Sequence, residues 1–274
     1  MMSSVSGTLS PGRPAEGAPA IAVQRAALFL LMCSPLWLAP RAVWQGYPFT
    51  LPVLLGLTLL FLRWDRRPGA AIGLDLSWRR AGELVCGLGG AALLVTAIAL
   101  VIALVLPFPW VRNPRFDPTL AMFSLASLLY GNSVEELIFR GYSFERLIAG
   151  IGHWKAQLVT AILFAVFHIA NGWPWQVALV GTTTGSLLFG LVFVRWHSVP
   201  AAVGVHVAAN WMRDLTLLDP PGSATLFGPV APRPWTASER LATALVWNGL
   251  SLLACAVLWR SIHRRRAQPA RSVG

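Results

Sequence analysis

The sequence predicts an all-α fold: a polytopic membrane helix bundle with about eight transmembrane helices. Three observations point there. The 274 residues are 55% hydrophobic and only 12% charged, against about 25% charged in a typical soluble domain. The apolar residues form continuous runs close to the ~20 residues a spanning helix needs, not the alternating pattern of a closed barrel. The basic residues gather at the ends of those runs, where membrane topology places them.

Taken in chain order, residues 1–24 are rich in Ser, Gly, Pro and Ala and read as a disordered cytoplasmic tail. Residues 25–260 form the transmembrane domain, with spans expected at 26–39, 47–62, 82–106, 119–139, 155–170, 175–194, 199–218 and 241–259. The first is short and interrupted by Pro35, and it lacks the small-residue cleavage site of a signal peptide. The stretch from Asp219 to Arg240 is rich in Pro and Gly and reads as a connection between the last two spans. Residues 261–274 are a basic cytoplasmic tail, expected to lie against anionic lipid.

Charge sets the orientation. With both termini cytoplasmic, only Arg41, Arg112, Arg115, Arg213, Arg233 and Arg240 fall outside, and every other basic residue falls inside. Trp37, Trp44, Trp110, Trp173, Trp196 and Trp259 lie near the expected interfaces, as an aromatic belt should. The net charge of +11 therefore reports topology and does not call for a nucleic-acid partner. Lys155 is the single lysine, and that arginine bias with abundant Ala, Gly and Pro suggests a bacterial inner (plasma) membrane. Cys33, Cys86 and Cys255 are isolated in apolar stretches and read as small core residues rather than a disulfide or zinc framework.

The chemistry-bearing residues stand out against this apolar background. A charged side chain at the bilayer centre costs about 2.5–3.5 kcal/mol on insertion scales, yet Glu135 and Glu136 sit side by side in the fourth span. Glu136 and Arg140 are four residues apart and only about 40° apart around a helix, so they can pair. Glu135 points elsewhere and is available for chemistry. His168 shares a helix face with Asn171, and His206 stacks with Asn210 one turn on. Taken alone, each of these pairs fits a satisfied core histidine or an interhelical polar clamp. The latter pair also fits two metal ligands or two donors to an oxyanion. The run Thr182-Thr183-Thr184-Gly185-Ser186 reads as packing, and His153, His197 and His263 as peripheral. By the span boundaries the acids sit near the cytoplasmic end, His168 near the outer end and His206 mid-span. One shared site then requires that Gly141–Trp154 re-enter or that the Glu-bearing helix be displaced.

Glu135-Glu136…Arg140, Phe164…His168 and His206…Asn210, in that order, resemble the CPBP family of intramembrane peptidases, also called Abi. The name joins CAAX prenyl proteases with bacteriocin-processing enzymes. Gly141, Asn171-Gly172 and Gly190 add to the likeness, which covers roughly residues 119–215. The resemblance implies a CAAX-protease-like bundle of eight helices around a cavity in which these residues converge. It implies that Glu135 activates water with help from His168, that His206 and Asn210 polarise the scissile carbonyl, and that Glu136 with Arg140 organises the site. The family is often classed as metallopeptidase, and a metal-free glutamate mechanism is also proposed. Zinc held by Glu135, His168, His206 and Asn210 and a metal-free site both stay open, since no HExxH helix is present. The expected substrate is a membrane-associated or lipid-anchored peptide or protein. The competing readings are a non-catalytic binding or immunity protein of the same fold and a proton-coupled transporter. The motifs show no repeat between halves, which transporters often have.

Overall fold

The computed structural model describes residues 18–38, 48–216, 223–230 and 233–267. Its helices are α1 Ala18–Leu38, α2 Thr50–Trp64, α3 Trp78–Val105, α4 Pro118–Phe139, α5 Tyr142–Ile151, α6 His153–Ala170, α7 Trp175–Trp196, α8 Val199–Thr216 and α9 Ala237–Ala267. Two short strands, β1 Trp110–Arg112 and β2 Phe227–Pro229, pair antiparallel with Val111 opposite Gly228. The chain is thus an all-α membrane bundle with one small strand pair, and the expected connection 219–240 contributes β2 to it.

Each of the eight expected spans coincides with a helix, α1 to α4 and α6 to α9. Among the described residues, five of these are long and apolar enough to span a membrane by length and composition: α1, α3, α6, α7 and α9. α2 is apolar but only 15 residues long, and α4 and α8 carry the polar groups of the site. Protein covers those polar groups: α4 is buried from Val134 to Phe139 and α8 from Ala201 to Ala208. Two boundaries also shift. The tail expected to run to residue 24 is helical from Ala18, with 1–17 outside the described residues. The basic tail expected from 261 continues α9 to Ala267, with 268–274 outside them. Cys33 and Cys255 are core residues as expected, but Cys86 is exposed.

The helices run between two ends. At the arginine-rich end, Asp65 accepts a hydrogen bond from Tyr142 Oη at 2.8 Å and pairs with Arg146 at 3.3 Å and with Arg25. Glu145 pairs with Arg67 at 2.7 Å. These contacts tie α1, the end of α2 and α5 together over an aromatic cluster of Phe29, Phe61 and Tyr142. At the other end, the strand end, Phe108 stacks on Trp235 and β1 pairs with β2.

Close helix approach in a membrane relies on small residues, and α3 crosses α8 at Gly87 and Gly204. A Cβ on Gly87 would come within 2.5 Å of the Ala201 carbonyl oxygen, and one on Gly204 within 2.3 Å of the Leu84 carbonyl oxygen. Neither backbone oxygen can retreat without moving its helix.

α5 resolves the depth conflict. The segment 141–154 is a ten-residue helix rather than a loop. At 1.5 Å per residue it carries the chain about 15 Å from the end of α4. It runs along α1 from Tyr142 beside Phe29 to Gly150 beside Pro19 and Val23. α6 then climbs back, and His153 to Phe164 recovers about 16 Å. Phe139 consequently meets Phe164 at 5.1 Å and Phe167 at 5.6 Å between ring centroids. The end of α4 and the far half of α6 therefore share one level.

Candidate active site

The site is built outward from α4. Asp117 caps this helix: its Oδ1 accepts hydrogen bonds from the backbone N–H of Thr119 at 2.8 Å and Leu120 at 3.3 Å, and Pro118 fills the first turn. The helix ends at Arg140, and Gly141 makes the corner into α5. A Cβ there would fall 2.3 Å from the Leu137 carbonyl oxygen.

Arg140 has no exposed surface. Its Nη1 lies 3.3 Å from Glu136 Oε1, and its Nη2 donates to Ser186 Oγ at 2.6 Å and to the Ser186 carbonyl at 3.1 Å. The guanidinium lies over the Phe164 ring at 4.6 Å and near the Phe189 ring at 5.4 Å. The i,i+4 pairing read from the sequence is present. Its second anchor is Ser186, from the run whose sequence reads as packing. Thr182 and Thr184 do bond their own helix, at Ala178 and Val180.

Glu136 passes this positioning on. Its Oε1 also accepts from His206 Nδ1 at 2.8 Å. The His206 ring stacks on Phe189, centroids 4.2 Å apart and planes 23° apart. With Nδ1 committed to Glu136, Nε2 faces Glu135, whose Oε2 is 3.8 Å away. His168 is held differently: Nδ1 donates to the Phe164 carbonyl at 2.9 Å, which leaves Nε2 as the acceptor in the neutral ring. Phe164 lies between the two imidazoles, 4.5 Å from His168 and 5.9 Å from His206.

Asn210 Nδ2 is 3.5 Å from Oδ1 of Asn132, a fully buried residue one turn before Glu136. Sequence reading missed Asn132. Its available signal was a lone amide at i−4 from Glu136, on the same helix face. Also missed was a π turn, Ala178–Thr182, inside α7. Such turns recur at functional sites, and this one lines the cavity.

That cavity, about 700 Å³, is lined by Phe164, His168, His206 and Asn210 together with the π turn and the first half of α9. Glu135 and Glu136 lie behind His206, 1% and 0% exposed. The structure thus brings all six sequence-predicted residues into one neighbourhood, and it leaves His153, His197 and His263 outside it. The fit to zinc is poor. Among the described residues no three His, Cys, Asp or Glu side chains are placed to hold one ion, whereas zinc takes three such protein ligands plus water. Asn210 would have to complete the set.

Residues 117–212, from the cap of α4 into α8, match the family model described as type II CAAX prenyl endopeptidase Rce1-like. This segment is similar to the Rce1-like domain. The matched segment holds α4 to α7, most of α8 and every residue of the constellation, while α1 to α3 and α9 wrap it. With its long apolar helices, the likeness marks the chain as an integral membrane protein. Neither the curated proteins nor the solved structures gave a match.

Proposed function

We propose that this protein is an intramembrane endopeptidase in which Glu135 activates a water molecule for attack on a peptide carbonyl. The observation that carries this is the relay Arg140–Glu136–His206, which fixes an imidazole Nε2 3.8 Å from a second buried carboxylate at the edge of a cavity. A binding protein has no need for two adjacent carboxylates at 1% exposure or less.

In the proposed step, Glu135, assisted by His168, takes a proton from water while the water oxygen bonds to the carbonyl carbon. Protonated His206 and the Asn210 amide donate to the resulting oxyanion. Collapse breaks the C–N bond, and the proton held by Glu135 passes to the leaving nitrogen. Glu136 and Arg140 touch no reacting atom in this scheme, and they hold His206 in place. The cavity, with apolar walls from α3 and α9, fits a membrane-associated or lipid-anchored peptide. The basic stretch at the end of α9 is proposed to rest on anionic lipid, in a bacterial inner membrane with both termini cytoplasmic.

The test compares membrane peptidomes of cells expressing wild type and Glu135→Gln at matched levels. A precursor that accumulates only with the Gln variant supports the reading and names the substrate. Identical peptidomes, with the host phenotype retained, favour the binding or immunity alternative.

A further inference from the structure

We propose that the cavity is loaded from the membrane face opposite the arginine-rich end, so that the bond cut belongs to an exported or outward-exposed segment. The identity of the ligand as a peptide rests on the peptidase reading; the sidedness does not.

The first observation is where the cavity opens. Its polar rim comes from the strand-end halves of the helices: Gln176 at the start of α7, Arg213 near the end of α8, and Arg240 and Thr243 at the start of α9. Arg240 is exposed and the Arg213 side chain is 35% exposed, so the cavity is open at this end. Toward the arginine-rich end the site is closed by Phe139, Arg140 and Ser186, each 2% exposed or less.

The second observation is charge. Among the described residues, Arg25, Arg63, Arg66, Arg67, Arg79, Arg80, Arg146, Lys155, Arg195, Arg260 and Arg264 lie toward the arginine-rich end. The strand end carries Arg112, Arg115, Arg213, Arg233 and Arg240. Lys and Arg excess in short loops marks the cytoplasmic face. The cavity mouth is therefore on the other one.

The rival route is a second cavity of about 390 Å³ in the arginine-rich half, between α3 and α9, which shares Ala91, Leu94 and Leu188 with the first. Its walls are almost wholly apolar, from Gly82 and Cys86 to Ala254 and Leu258, with Arg79 and Glu83 at its rim. Such a slot suits hydrocarbon. A peptide backbone drawn through it would lose hydrogen bonds to water without replacement.

The experiment places single cysteines in the full chain carrying Cys86→Ser, because the other native cysteines are buried. Arg240→Cys marks the cavity mouth, Ala244→Cys one turn deeper serves as a second mouth probe, and the fully exposed Leu76→Cys marks the arginine-rich end. Spheroplasts and inverted vesicles from a bacterial host are treated with a membrane-impermeant maleimide, and detergent-solubilised labelling normalises for expression. The expected result is at least tenfold faster labelling of Arg240→Cys and Ala244→Cys in spheroplasts than in inverted vesicles, with Leu76→Cys reversed. Labelling of both mouth probes only in inverted vesicles, or in neither preparation, overturns the proposal. Glu135→Gln plays no part in this readout, so loss of the peptidase reading would leave it standing.

Discussion

A guanidinium without exposed surface is tolerated only when its charge and most of its donors are answered. Arg140 has its charge and its Nη donors answered by Glu136, Ser186 and two aromatic faces, while its Nε finds no hydrogen-bond partner among the described residues, and the same carboxylate then orients His206. Removing one partner of a buried pair costs about 3–5 kcal/mol. Arg140→Ala should therefore lower both the yield of folded protein and its activity, read as thermal stability in detergent alongside cleavage. Arg140→Lys should restore little, because an ammonium lacks the planar fork that reaches Glu136 and Ser186 together. Glu135→Gln should instead abolish cleavage at unchanged stability, since the amide keeps the volume and loses the base. Asn132→Ala should lower kcat about tenfold with KM nearly unchanged, a barrier increase of about 1.4 kcal/mol. The expected cause is an Asn210 amide no longer held by its neighbour. Asn132→Ser keeps a side-chain acceptor without adding a buried charge and should recover part of that loss, which a purely structural defect would not do.

α5 explains a conflict that motif spacing alone could not resolve. Hydrophobic runs mark where a helix is apolar, and a short amphipathic helix such as Tyr142–Ile151 looks like a loop between runs. Only its packing on α1 shows that the chain descends and returns, which brings Phe139 level with Phe164. The α3–α8 crossing is a second case. Gly87 and Gly204 are unremarkable in sequence, yet each abuts a backbone oxygen of the other helix. Gly204→Val should separate the two helices, displace His206 two residues on, and reduce stability and activity together. Gly89→Ala, on α3 with Gly87 but facing open space, should be close to silent in a thermal-shift assay. The π turn in α7 was equally invisible, because it adds no distinctive residue type to the run 178–182.

The bundle sets what can reach the site. α9 contributes no motif residue, but its first half forms one wall of the cavity. Ala244→Trp should narrow that cavity and raise KM tenfold or more, equivalent to about 1.4 kcal/mol of binding, while stability is unchanged because Ala244 faces space rather than packed protein. Composition and apolar run length by themselves determined that this chain is an all-α membrane bundle, because hydrocarbon admits little else from so apolar a sequence. The i,i+4 rule by itself determined the Glu136–Arg140 pair, because both residues lie on one helix. Contacts between helices were beyond its reach. The sequence did not show that Ser186 anchors Arg140, that His206 bonds Glu136, or that Asn132 supports Asn210. Each joins residues on different helices, whose relative rotation and depth are decided by packing.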